Sequence, residues 1–274
     1  MYNVIIAFLI GIVEGITEWL PVSSTGHMIL FEEFFQLRMT DEFKEMFLVV
    51  IQLGAILAVV LLYWNKLFPF SFKKDTSLIK KDVMSMWVKI IVSCIPAAII
   101  GILFDDALEA LFYNPVSVSI ALIVFGVFFI IIENYNKKRT PRKATLMSIT
   151  LTDAAIIGAF QVIAAVFPGV SRSGATIIGA ILIGVSRTVA AEYTFFLAVP
   201  VMAGASLLKV VKFGFGFSFE EILVLCVGML TAFFVSVVAI KFLMGYVKKH
   251  DFKVFGIYRI ILGIAVLVIL EFIM

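Results

Sequence analysis

Apolar residues run almost unbroken through three stretches of the first half, at roughly 47–64, 87–105 and 116–133, and through three of the second, at about 192–211, 221–243 and 255–274. Each is close to the ~20 residues that an α-helix needs to cross ~30 Å of hydrocarbon. Two further apolar stretches are interrupted. Residues 2–20 stop at Pro21, followed by V-S-S-T-G, and the stretch at about 149–187 is broken at Pro168. A proline ends a helix, and a serine or threonine after it can cap the next one. Between about 26 and 46 the chain gathers Glu32, Glu33, Asp41, Glu42 and Glu45, so it has returned to water. A re-entrant pair fits this better than a full span, because broken backbone at membrane depth is tolerated only where protein or a wet cavity covers it. The pattern predicts an all-α polytopic membrane protein, one integral domain of two re-entrant broken-helix units plus six transmembrane helices.

Composition agrees. Hydrophobic residues make up 62% of the 274 and charged residues 15%, and the mean hydropathy is +1.13; a soluble domain of this length has too little polar surface to cover such a content. The formal net charge of +3 is small, and lysines and arginines cluster between apolar spans, so they report topology rather than nucleic-acid binding. Lys66, Lys73, Lys74, Lys80 and Lys81 fill one loop, Lys137, Lys138, Arg139, Arg142 and Lys143 another, and Lys248, Lys249 and Lys253 a third, all expected in the cytoplasm. A short loop with Asp105, Asp106 and Glu109 is then outside, and the C-terminus points outward. Cys94 and Cys226 stand singly inside spans and read as packing residues without a disulfide. The N-terminus has no basic n-region or small-residue cleavage site, so it is expected to stay in the mature protein.

The two halves resemble each other. Gly11–Gly26 lies over Gly158–Gly174, each running glycine, then Glu or Gln three on, then proline ten on; after the proline they diverge by one residue. Each half, at approximately 1–134 and 149–274, reads as one broken unit plus three full spans. Three is odd, so the second copy enters from the opposite face: an inverted repeat whose broken segments meet and build the site.

Glu14, Glu18, Ser23, Ser24, Thr25, Gly26 and His27 from the first segment would then share a pocket with Gln161, Gly169, Ser171, Arg172, Ser173, Gly174 and Thr176 from the second. Ionisable side chains at membrane depth are costly and read by default as functional. Arg172 has no partner in its own neighbourhood, and its planar fork suits carboxylate or phosphate. Gly169 and Gly174 let backbone approach a ligand, and helices starting near Ser24 and Ser173 would aim free N–H groups at it, which together describe a phosphate cradle. Glu14 and Glu18, one turn apart, cannot both ionise cheaply; either one holds a proton or a cation sits between them, and Mg2+ or Ca2+ suits such a pair. His27 lies one turn from Ser24, giving a nucleophile and base or a general acid for the leaving phosphate. Each feature has an ordinary reading beside this one. Ser-Ser-Thr after proline is a cap, His27 a hydrogen-bonded interior residue, and Glu14 with Arg172 a structural ion pair. Their coincidence in the two interrupted segments favours a site. His250 reads as solvated, and Glu192 beside Arg187 as an interfacial structural pair.

E-G-I-T-E-W-L-P-V-S-S-T-G-H (Glu14–His27) and P-G-V-S-R-S-G-A-T (Pro168–Thr176) together resemble the two signature segments of the bacterial undecaprenyl-diphosphatase family, also called bacitracin resistance proteins. Ile51–Val60 and Glu192–Pro200 are similar to further blocks of that family, so the likeness spans nearly the whole chain. The resemblance implies a multi-pass enzyme of the bacterial inner membrane that hydrolyses undecaprenyl diphosphate to the monophosphate carrier and phosphate, for cell-wall synthesis and against bacitracin. It also implies an inverted-repeat fold, divalent-metal dependence, a site on the outer side, and Glu14, Glu18, Ser24, His27 and Arg172 as its residues. Gln161 departs from the pattern, standing seven residues before Pro168 where six are expected. The implied partners are the lipid diphosphate and the bilayer, with a homodimer as the alternative to a monomer. A transporter or flippase of a polyprenyl phosphate lipid is the rival reading, because carriers use the same broken inverted repeats.

Overall fold

The computed structural model describes residues 1–71 and 78–273, with the side chains of residues 105, 106, 109 and 270–273 excepted. Lys73, Lys74 and Met274, and the side chains of Asp105, Asp106 and Glu109, therefore lie outside the described residues.

The described chain is helical throughout, with only two isolated β-bridges. The first broken unit is α1 (Tyr2–Thr17) and α2 (Ser24–Phe34). A span follows in two pieces, α3 (Asp41–Val50) and α4 (Gln52–Leu62), and then the single turn α5 (Trp64–Leu67). Next come α6 (Lys81–Phe112) and α7 (Pro115–Asn136). The second broken unit is α8 (Leu151–Val166) and α9 (Arg172–Leu182), followed by α10 (Arg187–Phe213), α11 (Phe219–Val247) and α12 (Lys253–Ile273). Among the described residues five helical segments are long and apolar enough to cross a membrane, and α12 coincides with the sixth predicted span. The expected outer loop at Asp105–Glu109 is corrected: α6 runs on through it to Phe112, and the connection to α7 shrinks to 113–114. A helix can carry its last turns past the hydrocarbon, where acids are solvated without a break in the backbone.

Hydrogen bonds fix the face from which each hairpin enters. Asn3 donates to Glu220 Oε1 at the start of α11, and to Arg38 O beyond the end of α2, so both ends of the first hairpin share one face. Both ends of the second share the opposite face: Lys143 pairs with Asp153 at the start of α8, and the N–H groups of Arg142 and Lys143 donate to Gly184 O just past α9. The halves also exchange contacts. Helix α1 packs along α11 and α8 along α6, while α7 and α12 pair closely. A Cβ at Gly126 would stand 2.6 Å from Gly256 O, and one at Gly256 would stand 2.7 Å from Gly126 O. Small residues at such a crossing let two helix backbones touch.

The face that gathers the basic loops is tied by buried carboxylates. Glu133 accepts both nitrogens of the Arg187 fork and the N–H of Phe252, and Glu192 pairs with Lys66. The expected Glu192–Arg187 pair is thus replaced by two pairs, because residues five apart on a helix lie on different faces, unlike those three or four apart. Both cysteines are free; Cys226 faces outward instead of packing inside. His250 is exposed and stacked on Tyr246.

Candidate functional site

Both breaks are built alike. Ser23 (φ 74°, ψ 108°) caps α2 and Ser171 (φ 69°, ψ 121°) caps α9, and among the described non-glycine residues only these two have positive φ. Each hydroxyl accepts the N–H of the third residue on, Gly26 N at 3.4 Å and Gly174 N at 3.2 Å. Strain of this kind, ~1–3 kcal/mol per residue, persists where surrounding structure imposes it, commonly at functional sites. The second helix starts at Arg172, next to the expected start near Ser173, and Ser171 is its cap. The extra residue is Gly169 (φ 94°), which lets the chain turn between Pro168 and the cap.

The cap geometry brings the predicted residues together. Arg172 Nη2 donates to Glu18 Oε1 at 2.7 Å, 154 positions apart in sequence, and Nη1 donates to Thr194 O at 2.9 Å. Ser24 Oγ donates to the other oxygen of the same carboxylate, Glu18 Oε2, at 3.4 Å. Glu14 is buried beside Glu18 and Gln52, and its Oε1 has no hydrogen-bond partner. The ion pair to Arg172 therefore forms through Glu18 rather than Glu14. Trp19, fully buried edge-on against Phe195 at 5.3 Å, anchors the turn that follows.

His27 sits on the adjoining turn of α2. Its Nδ1 lies 2.7 Å from Ser23 O and its Nε2 lies 2.7 Å from the Tyr258 hydroxyl, with the two rings stacked. A carbonyl only accepts, so Nδ1 carries the proton, and Nε2 of the neutral ring accepts from Tyr258. Ser24 finds Glu18 rather than His27.

The remaining predicted residues serve this arrangement. Ser173 is buried and shares a 3.0 Å hydrogen bond with Ser171; Thr176 Oγ1 donates to Arg172 O at 2.9 Å and bonds the Thr194 hydroxyl. Thr25 is half-buried. The glycines are fitted to protein: Cβ atoms at Gly26, Gly169 and Gly174 would meet Leu122 Cδ1 at 2.8 Å, Val118 O at 2.6 Å and Arg259 Nη1 at 2.9 Å. Gln161 is buried with neither amide atom hydrogen-bonded. Two residues went unread in the sequence, Tyr258 and Arg259 on α12. An ionisable residue inside a span was the signal for Arg259; Tyr258 had none. A cleft of about 650 Å³, lined by Glu32, Asp41, Lys44, Glu45 and Lys209, reaches Ala165 and Pro168 at the second turn.

Fold and site together define a polytopic α-helical membrane protein that holds an arginine, a carboxylate pair and a serine at the ends of two broken helices. The chain belongs to the bacitracin resistance protein family: the family described as "Bacitracin resistance protein BacA" matches residues 7–265. Similar curated proteins include Undecaprenyl-diphosphatase 1 of Clostridium acetobutylicum, 68% identical across 96% of this chain and 95% of that one. The undecaprenyl-diphosphatases of Desulfitobacterium hafniense and Enterococcus faecalis are 65% and 64% identical, each across 95% of this chain and 94% of the relative.

Proposed function

We propose that this protein is an undecaprenyl-diphosphate phosphatase of the bacterial inner membrane, converting the lipid diphosphate and water to undecaprenyl phosphate and inorganic phosphate. Such an activity renews the lipid carrier for cell-wall synthesis and opposes bacitracin. The observation that carries the reading is the Arg172–Glu18–Ser24 chain of contacts, assembled from two hairpins at two helix N-termini. Phosphoryl transfer needs positioning and positive charge more than covalent chemistry. Arg172 and the N–H groups opening α2 and α9 would hold the terminal phosphate. Ser24, or a water bound to it, would attack phosphorus; the bond to the bridging oxygen breaks, and its electron pair leaves with the lipid monophosphate. Glu18 Oε2 is the nearest acceptor for the attacking group's proton, while both ring nitrogens of His27 are engaged by Ser23 O and Tyr258. A phosphoserine at Ser24, if formed, is cleared by water to free phosphate.

Glu14 and Glu18 would be the carboxylate ligands of a divalent cation, Mg2+ or Ca2+. Glu14 Oε1 is buried and unpartnered, but both Glu18 oxygens are taken by Arg172 and Ser24, and among the described residues no three His, Cys, Asp or Glu side chains gather to hold an ion. Bound there, the ion would neutralise charge on the diphosphate oxygens. The two halves, at about 1–134 and 149–274, are read as inverted repeats on the strength of their exchanged helix contacts. The outer face is taken to be the one carrying the cleft, which reaches the second hairpin turn at Pro168.

The same exchange of contacts is what a lipid flippase would need, so the test must separate turnover from transport. Purified protein in detergent, given undecaprenyl diphosphate, is expected to release phosphate, and a chelator is expected to suppress the release. A carrier releases none, and full activity in chelator removes the cation.

A further inference from the structure

Arg259 is completely buried, yet among the described residues its hydrogen-bond partners are backbone carbonyls and no carboxylate pairs with it. Its Nη1 donates to Pro21 O at 3.3 Å, and its Nη2 to Gly169 O at 2.8 Å and Val170 O at 2.7 Å; its Cζ lies 5.9 Å from the centre of the Phe129 ring. A buried guanidinium without a counter-anion is costly, so its shell of backbone carbonyls needs a reason. The reason lies in which carbonyls they are. Pro21 stands two residues before the cap of α2, and Gly169 and Val170 directly precede the cap of α9. One side chain therefore bonds the turns of both hairpins, which enter from opposite faces. The first turn of α9 is shaped around it, since a Cβ at Gly174 would lie 2.9 Å from Nη1.

Arg172 is the first residue of α9, and Glu18 lies three residues before Pro21. Their contact thus depends on the relative placement of the two turns that Arg259 joins. We propose that Arg259 is a positioning residue for the phosphatase reaction: its fork sets the spacing of the two hairpin turns and adds a full positive charge to the N-terminal ends of α2 and α9. The inference rests on the phosphatase reading. A lysine cannot substitute, because an ammonium offers its donors from one point and not along a planar fork.

The test is a cycle of Arg259→Met and Gly174→Ala, singly and together, with Arg259→Lys beside it. Each full-length protein is purified and assayed for kcat and KM of phosphate release, with thermal unfolding followed in parallel. Misplacing reacting groups by about 1 Å can cost ~100-fold, so Arg259→Met is expected to lose about that much in kcat and Arg259→Lys about tenfold, with KM changed far less. Gly174→Ala is expected to lower kcat alone but to add nothing to Arg259→Met, because the added methyl no longer meets a guanidinium. Wild-type kcat in Arg259→Met, or fully additive losses, overturns the inference. Should Arg259→Met not fold, the cycle is run with Arg259→Lys, and additivity there overturns it equally. Wild-type protein that releases no phosphate overturns the phosphatase reading and this inference with it, an outcome distinct from the others.

Discussion

Arg172 places Nη2 on Glu18 and Nη1 on Thr194 O, while its Nε is buried without a partner. Substitution by lysine keeps the charge but cannot span both contacts or grip a phosphate edge-on. Arg172→Lys is therefore expected to lower phosphate release by about 100-fold, in line with the loss of a donor aimed at developing charge; an unchanged rate would take Arg172 out of the mechanism. Tyr258 acts more indirectly, through Nε2 of His27. Tyr258→Phe retains the stacked ring and removes only the hydroxyl, so kcat is expected to fall by roughly tenfold while the unfolding midpoint stays put. Equal loss in a His27→Ala background would show that Tyr258 does not work through His27. The acids, Ser24, His27 and Arg172 were legible in the sequence because each is polar within a segment that proline had already broken. Arg259 was not, because it lies six residues into α12, where an arginine ordinarily reaches back to the interface. Tyr258 beside it carried no signal of its own in the sequence. Only the fold shows that Arg259 is buried against the hairpin turns and that the exposed Tyr258 reaches His27 Nε2.

At the scale of elements, the site depends on two helices starting inside the bundle at matched caps. Prolines 21 and 168 announced the breaks, and serines after them announced the caps. The sequence put the second helix start near Ser173; the structure places the cap at Ser171, whose own φ is positive and whose hydroxyl accepts Gly174 N. Replacing Ser171 by alanine removes the acceptor for Gly174 N and leaves the strained backbone in place. It should cost about 1 kcal/mol, read as a lower unfolding midpoint in detergent. Ser171→Gly removes the same hydroxyl but relieves the strain, and is expected to lie closer to wild type. The reverse order of the two variants would mean that the backbone at 171 is not strained.

For the whole molecule, charge and contacts divide the protein into two faces. One gathers Lys66, Glu133, Lys143, Asp153, Arg187 and Glu192 in buried or half-buried pairs; the other gathers Asn3, Arg38 and Glu220 with the cleft bordered by Glu32, Asp41 and Lys209. Lysine and arginine in short loops favour the cytoplasm, and all three basic loops belong to the first face. Helix α1 begins on the second face, and α12 begins on the first at Phe252, bonded to Glu133, and runs away from it. Both chain ends should therefore emerge outside the cell, on the side to which the cleft opens. Paired reporters that work only in the cytoplasm or only outside it, fused in turn at the C-terminus and within the loop at 137–143, test this. The outside reporter is expected to be active at the C-terminus and the cytoplasmic one in the loop. The opposite result would reverse the molecule in its membrane, and the site would then draw its lipid from the inner leaflet.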